Sequence, residues 1–378
     1  MTTSASPAPA SPRPERVAVV FGGRSTEHAI SCVTAGSVIA ALTTAGYAVV
    51  PIGITRDGRW VLESGDADAL RISPAGELPE VDEGGAGLVL APGGDLVALD
   101  PGTVPGELSS VDVVFPVLHG PWGEDGTIQG LLELADVRYV GSGVLASAVG
   151  MDKHAMKLQL LAQGLPVLPY TVISARTWES DRARAREAVA SLGFPVFVKP
   201  ARGGSSIGIS RVDALEELDA AVELARQHDP KVLVEAAAVD ARELECGVLG
   251  GFGHDAPEAS VVAEIVLEGD QEFYDFAAKY LPEEGIRLEV PADLPSDVAD
   301  RVRALALQAF DALDCEGLAR VDFFWLPDGR LVINEINTMP GFTPSSMFPR
   351  MWAATGLDYP ELVDRLVRLA AQRGTGLR

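Results

Sequence analysis

Apolar runs of membrane-spanning length are absent from this 378-residue chain. The best candidate, residues 38–54, is broken by Thr, Gly, Tyr and Pro, which excludes a spanning helix there. Cationic charge is scarce: 30 Lys and Arg stand against 54 Asp and Glu, a formal charge of −24. Such a chain binds nucleic acid and anionic membrane surfaces poorly, so neither is expected as a partner. An anionic ligand must therefore meet a local cluster of cations. Cysteine is rare too: Cys32, Cys246 and Cys315 are scattered, odd in number and without CxxC spacing. That excludes a disulfide framework or a zinc site, fits a reducing cytoplasm, and predicts three small core residues. Two nucleotide fingerprints are also missing. Gly22-Gly23 does not spell GxGxxG, and Gly208 is followed by Ile209-Ser210 rather than by a Walker Lys-Ser/Thr. Residues 1–15 hold Ser, Ala and Pro without an apolar stretch, which reads as a disordered tail and not a secretion signal.

What is present centres on residues 317–341. Residues 320–325 are rich in β-formers, Pro327-Asp328-Gly329-Arg330 is a turn, and 331–337 is a second strand. A two-residue Asp328-Gly329 turn would pair 327 with 330. Asp322 then faces Glu335 and Arg320 faces Asn337, all four on one side of the hairpin. Facing carboxylates repel, so a cation belongs between them. Hard carboxylate and amide oxygens suit Mg²⁺, which takes few protein ligands and completes its shell with phosphates and water.

The remaining length suits two or three α/β domains. Strand 17–21, the glycine turn and helix 26–42 open an α/β sheet, with Glu27 and His28 in the helix's first turn. Strand 48–54 follows, and hairpin-like pieces at 87–90 and 96–99 decorate residues 55–110. Strand 111–118 runs into a Gly-rich loop with His119, Glu124 and Asp125, which is either a solvated turn or part of a site. Asp152 caps helix 153–162, Gly164 stops it, and a single helix covers 177–191. Strand 195–199 ends in Lys199 before a loop with Gly203, Gly204, Ser205, Ser206 and Gly208. Glycines that turn N–H groups outward beside a lysine make a phosphate cradle, and residues 209–212 return as a strand. Strands 231–235 and 242–248 place Glu235 and Glu243 as either solvated edge charges or ligand contacts, with Glu245 on the same face as Glu243. The aromatic, charged stretch 269–280 reads as a loop over a site, with Lys279 and Tyr280 reaching inward. Helix 295–313 leads into the hairpin, and Pro360 starts the last helix.

Six strings in order resemble the D-alanine–D-alanine ligases of the ATP-grasp superfamily: FGGRSTEHAIS, HGPWGEDGTIQG, GSGVLASAVGMDKHAMK, VKPARGGSSIGIS, FYDFAAKYL and GLARVDFFWLPDGRLVINEINTMPGFTPSSMFP. The resemblance spans residues 17–371. It implies an N-terminal open α/β domain (16–140) and two ATP-grasp subdomains (141–243 and 244–378) that sandwich ATP. It implies Lys153, Lys199 and Lys279 near the nucleotide and Glu235 with the backbone of Ala236 and Ala238 at adenine. Glu243 falls to the ribose, and Asp322, Glu335 and Asn337 to two Mg²⁺ or Mn²⁺ ions. It implies Glu27 and His119 at the ammonium of a first D-alanine, with Ser205 or Ser206 and Tyr280 linking to that glutamate. Arg320 and the Gly341 N–H become oxyanion donors, and Ser346 and the Met347 N–H hold the second substrate's carboxylate. The expected activity is ATP-dependent formation of D-alanyl-D-alanine for peptidoglycan, by a cytoplasmic homodimer. The alternatives are a D-lactate- or D-serine-accepting relative and a non-catalytic nucleotide-binding regulator. Residues 236–238 depart from the pattern, being three alanines where relatives often carry larger side chains.

Overall fold

The computed structural model describes residues 16–73, 75–99, 106–267 and 286–376. The N-terminal tail, the stretch 269–280, Lys279 and Tyr280 lie outside the described residues.

The chain builds three sheets. The first opens with β1 (Arg16–Gly22), followed by α1 (His28–Thr44) and β2 (Ala48–Ile54). Its antiparallel extension is β3 (Trp60–Leu62), β4 (Gly87–Leu90), β5 (Asp95–Leu99) and β6 (Gly106–Ser110). After it come β7 (Val113–Pro116), α2 (Thr127–Leu134) and β8 (Arg138–Tyr139). The order is β6-β5-β4-β3-β2-β1-β7-β8, with β2, β1, β7 and β8 parallel. β1 is apolar on both faces because both are covered. Val17, Val19 and Phe21 join a core with α1, while Ala18 and Val20 join Ile128 and Leu132 of α2.

Helices α3 (Val144–Met151) and α4 (Lys153–Ala162) meet at Asp152, whose carboxylate accepts the N–H groups of His154 and Ala155. β9 (Tyr170–Ile173) leads to α5 (Ala175–Ser180) and α6 (Arg182–Ala190), where one helix was expected. Asp181 breaks it: its backbone leaves the helical region, at φ −152° and ψ 63°, and its side chain caps the N–H of Arg184, the competition that Asp offers inside a helix. β10 (Val196–Pro200), β11 (Ser210–Val212), α7 (Leu218–Arg226) and β12 (Val232–Ala236) complete an antiparallel second sheet of order β11-β10-β12-β9.

The third sheet runs β15-β14-β13-β16-β17. Its strands are β13 (Arg242–Leu249), β14 (Glu258–Leu267), β15 (Ile286–Glu289), β16 (Leu318–Trp325) and β17 (Leu331–Asn337). Helix α8 (Ser296–Ala312) covers one face; α9 (Met347–Thr355) and α10 (Tyr359–Gln372) follow the last strand. These last two helices share a core with the first sheet, through Phe348, Trp352, Leu362 and Leu366. The three cysteines are buried and free, as their sequence context suggested. Among the described residues no helix is long and apolar enough to cross a membrane.

The hairpin register holds a correction. Arg320 pairs with Asn337 and Asp322 with Glu335, as expected, yet the turn is not a two-residue one. Gly329 N–H donates to Leu326 O at 2.9 Å and Leu326 N–H to Arg330 O at 2.9 Å, a three-residue turn with Gly329 at φ +85°. Trp325 therefore pairs with Leu331, and a bulge at Asn334 restores the count before Glu335.

Candidate active site

Four loops, two strands and the junction of α3 and α4 converge on one partly open cavity of about 70 Å³. Glu27, His119, Lys153, Ser205, Arg320, Glu335, Asn337 and Gly341 line it, drawn from segments up to 314 residues apart in the chain.

Glu27 is the residue immediately before α1 and is buried. Its N–H donates to Ser25 Oγ at 2.9 Å. Its carboxylate accepts a short hydrogen bond from Ser205 Oγ, which joins the first sheet's loop to the Gly/Ser loop after β10. Ser205 and Ser206 adopt the left-handed region, φ 51° and 58°. Gly120, at φ +73°, leaves the space Glu27 fills: a Cβ there would lie 2.4 Å from Glu27 Oε2. His28 has a structural task. Its Nδ1–H donates to Gly23 O at 2.7 Å, and its Nε2 accepts from Val81 N–H at 3.3 Å.

His119 spans two parts of the fold, with Nδ1 3.3 Å from Met339 O and Nε2 3.3 Å from Thr34 Oγ1. Burial lowers its pKa below the ordinary histidine value against the pull of Glu27, so the imidazole is neutral near pH 7. Glu124 sits beside it and accepts the Gly120 N–H at 2.8 Å. Burial and the Glu27 charge push its carboxyl up to about 8. Glu124 therefore keeps its proton near pH 7. Sequence reading had noted Glu124 only as one acid of a loop; its signal was that loop's position at the end of β7.

Lys153 Nζ donates to Gly203 O at 2.7 Å and lies 3.4 Å from Glu335 Oε2. It ties the Gly/Ser loop to the hairpin. Arg202 anchors the same loop by a two-pronged pair with Asp229, at 3.0 and 2.7 Å. On the second sheet Lys199 and Glu235 are diagonal neighbours across β10 and β12. They pair at 2.7 Å, and Lys157 of α4 approaches the same carboxylate to 2.5 Å. Glu235 is thus no solvated edge charge: it is 1% exposed between two ammoniums. Burial would raise its pKa, but Lys199 and Lys157 hold it below the carboxylate range. Burial depresses the ammonium of Lys157, whereas Lys199 gains enough from Glu235 to rise. Lys157 also reaches the bulge carbonyl, Asn334 O, at 3.4 Å. Lys157 ends the string GSGVLASAVGMDKHAMK, but no role attached to it there.

On the third sheet Glu245, Asp322 and Glu335 stand in a row across β13, β16 and β17. Arg320 donates to both oxygens of Asp322 at 2.7 Å, and its Nε lies 3.2 Å from Glu245 Oε2. Asn337 Nδ2 donates to Asp322 Oδ2 at 3.0 Å. The cation expected between the facing acids is thus supplied by the chain, Arg320 on Asp322 and Lys153 on Glu335. The donors still suit a hard divalent ion: two partly buried carboxylates and an amide, with Glu335 and Asn337 open on the cavity and Asp322 just behind them. No group of three or more His, Cys, Asp or Glu that could hold a metal occurs among the described residues, so an ion here would complete its shell from ligand and water.

The other expected contacts lie outside this cavity. Glu243 is half-buried on β13, Ala236 ends β12 and Ala238 follows it. Ser346 precedes α9, its Oγ accepting the Thr343 N–H at 3.1 Å, and Met347 is that helix's first residue. Chemically, the cavity presents a carboxylate for an ammonium, a guanidinium for developing negative charge, and a lysine beside outward-turned backbone for phosphate.

The profile described as "D-ala D-ala ligase N-terminus" matches residues 16–142, and "D-ala D-ala ligase C-terminus" matches 160–368. The chain is 58% identical over 374 residues to a D-alanine–D-alanine ligase of Paenarthrobacter aurescens, covering 98% of each. It is 59% identical over 377 residues to one of Kineococcus radiotolerans, covering 97% of this chain and 99% of that one. Among solved structures it resembles the VanG D-Ala:D-Ser ligase of Enterococcus faecalis, with TM-score 0.80, 35% identity, and 94% and 99% of the two chains covered. The D-alanine–D-alanine ligase of Coxiella burnetii gives 0.77, 35%, and 95% and 94%.

Proposed function

The chain belongs to the D-alanine–D-alanine ligase family of ATP-grasp fold, and from that premise we propose how its residues perform the reaction. It is an ATP-dependent ligase that joins two D-alanine molecules for peptidoglycan synthesis. The observation that carries the residue assignment is the single cavity shared by Glu27, His119, Ser205, Arg320, Glu335 and Gly341.

A carboxylate is a poor electrophile. An oxygen of the first D-alanine's carboxylate attacks the γ-phosphorus of ATP, ADP leaves, and an acyl phosphate forms. Glu27 holds that substrate's ammonium, with Ser205 fixing the carboxylate's orientation. Lys153 and Lys199 receive the phosphates, and Glu235 with Ala236 and Ala238 receives adenine. Asp322, Glu335 and Asn337 would hold Mg²⁺ or Mn²⁺, which neutralises charge during phosphoryl transfer. The second D-alanine's amine, once deprotonated, attacks the acyl carbon, and phosphate leaves. Arg320 and the Gly341 N–H stabilise the tetrahedral oxyanion, one such donor being worth about 3 kcal/mol. Ser346 and the Met347 N–H take the second carboxylate. The acyl phosphate is water-sensitive, and stretch 269–280 with Lys279 and Tyr280 is assigned as its cover. The enzyme is assigned to the cytoplasm as a homodimer.

The test is phosphate release with ATP, Mg²⁺ and D-alanine, beside L-alanine, D-serine and D-lactate as acceptors. Release dependent on D-alanine, and not on L-alanine, is expected. Preferential ester or D-serine product at neutral pH overturns the acceptor assignment, and no D-alanine-dependent release overturns the ligase assignment.

A further inference from the structure

Asp322 has two claims on it. Both of its oxygens accept from Arg320, at 2.7 Å each, and Oδ2 also accepts from Asn337. A divalent ion bound to the same carboxylate would sit beside the guanidinium and repel it, so ion and Arg320 compete for Asp322. Arg320 must then keep its place with another partner. One is already in reach. Glu245 faces Asp322 across β13 and β16, and its Oε2 lies 3.2 Å from Arg320 Nε. Arg320 lines the cavity, and Glu245 does not. The side chain of Glu245 is 4% exposed, so it stands behind the guanidinium rather than among the groups open to ligand. Gly247, the cross-strand neighbour of Arg320, adds no side chain to intervene.

We infer that Glu245 is a positioning residue, the carboxylate that takes Arg320 over when Asp322 turns to a divalent ion. The inference rests on Asp322 being a metal ligand. Glu245 makes ion entry easier by offering Arg320 a second counter-charge, and it keeps the guanidinium aimed into the cavity afterwards. In Glu245→Gln this second hold is weaker. Arg320 stays on Asp322, and the ion meets a tighter competitor.

The test is Mn²⁺ binding in the presence of ADP, read by the electron paramagnetic resonance of free Mn²⁺, on the full chain. Glu245→Gln is expected to weaken Mn²⁺ roughly tenfold, the low end for a lost charge-assisted hydrogen bond. kcat falls while KM for ATP stays within about twofold, the same low-end loss being confined to Arg320. A plain loss of negative charge near the ion would also weaken binding, so the same change is made in an Arg320→Gln background. There the effect of Glu245→Gln on Mn²⁺ is expected to vanish. Equal Mn²⁺ affinity in wild type and Glu245→Gln, or an equal loss in both backgrounds, overturns the inference. Should Glu245→Gln not fold, Glu245→Asp, which keeps the charge but draws it back by one methylene, is expected to weaken Mn²⁺ to a smaller degree; unchanged affinity overturns the inference. Wild type that binds no Mn²⁺ with ADP defeats the metal assignment itself, a failure distinct from a failure of Glu245.

Discussion

Replacing Glu235 with Gln tests how a buried charge cluster is balanced. Glu235 is 1% exposed and holds Lys157 at 2.5 Å and Lys199 at 2.7 Å. Removing one partner of a buried pair costs about 3–5 kcal/mol, because the remaining charge is left uncompensated. Gln retains an oxygen that accepts from one lysine, so the lower end, about 3 kcal/mol, is the working figure. For cooperative units of 150–250 residues each kcal/mol moves Tm by about 2–4 °C, which makes the expected fall roughly 6–12 °C. The pH dependence has a definite sign. Burial already depresses Lys157, and loss of Glu235 depresses it further. A lysine depressed in the folded state binds fewer protons than in the unfolded chain, so stability rises with pH through that window. The variant's deficit should shrink between pH 7 and pH 9, both below the free lysine value of about 10.4. The double variant Glu235→Gln/Lys157→Met removes one of the two stranded ammoniums and should regain more than half of the loss. It should not regain ATP affinity if Glu235 also meets adenine, so KM for ATP separates the two tasks. Thermal unfolding at both pH values, followed by circular dichroism, is the assay. A Tm change under about 2 °C at pH 7, well below the 6–12 °C worked out above, or a deficit that grows with pH, refutes the reasoning.

Asp322→Asn and Glu335→Gln should each lower turnover by roughly 10²–10³, the scale of losing charge stabilisation at the reacting centre. Stability should stay within about 1 kcal/mol, because Arg320 keeps Glu245 and Lys153 keeps Gly203 O; full activity of either variant would mean the hairpin has been misread. Gly120→Ala would drive a Cβ to 2.4 Å from Glu27 Oε2 at φ +73°. Glu27 must swing away, so kcat/KM for D-alanine should fall at least tenfold, the scale of one lost charge-assisted hydrogen bond, and an unaltered kinetic profile at the first substrate site would sink that role for Glu27.

Much of the fold was legible because the local signals were strong. Apolar runs rich in β-formers marked β1, β2, β12 and β16; Asp152 and Gly164 bracketed α4 within a residue. The facing of Asp322 and Glu335 was anticipated for an incomplete reason, since two irregularities of opposite effect left those pairs unchanged. The break at Asp181 was missed because an Ala- and Arg-rich stretch has helical propensity throughout, and a side-chain cap outweighed it. Of the Lys157–Glu235–Lys199 cluster, Lys199 and Glu235 were each expected near the nucleotide, but their meeting with Lys157 was not legible. It depends on α4 packing against the second sheet, and sequence spacing carries no information about which buried carboxylate a lysine will meet. Glu245 failed to register for a related reason. Its partner lies across a strand pairing that links residues 77 positions apart.

The turn and bulge of the hairpin act as a matched pair of single-residue offsets. At constant length, tightening the turn to Asp328-Gly329 while the bulge stays would set Asp322 against Ile336, and straightening the bulge while the turn stays would set it against Asn334. Either change alone rotates Glu335 and Asn337 off the face they share with Arg320 and Asp322. Both together restore the pairs. Related chains with a hairpin of this length can therefore trade a tighter turn for a straighter strand only in one concerted step.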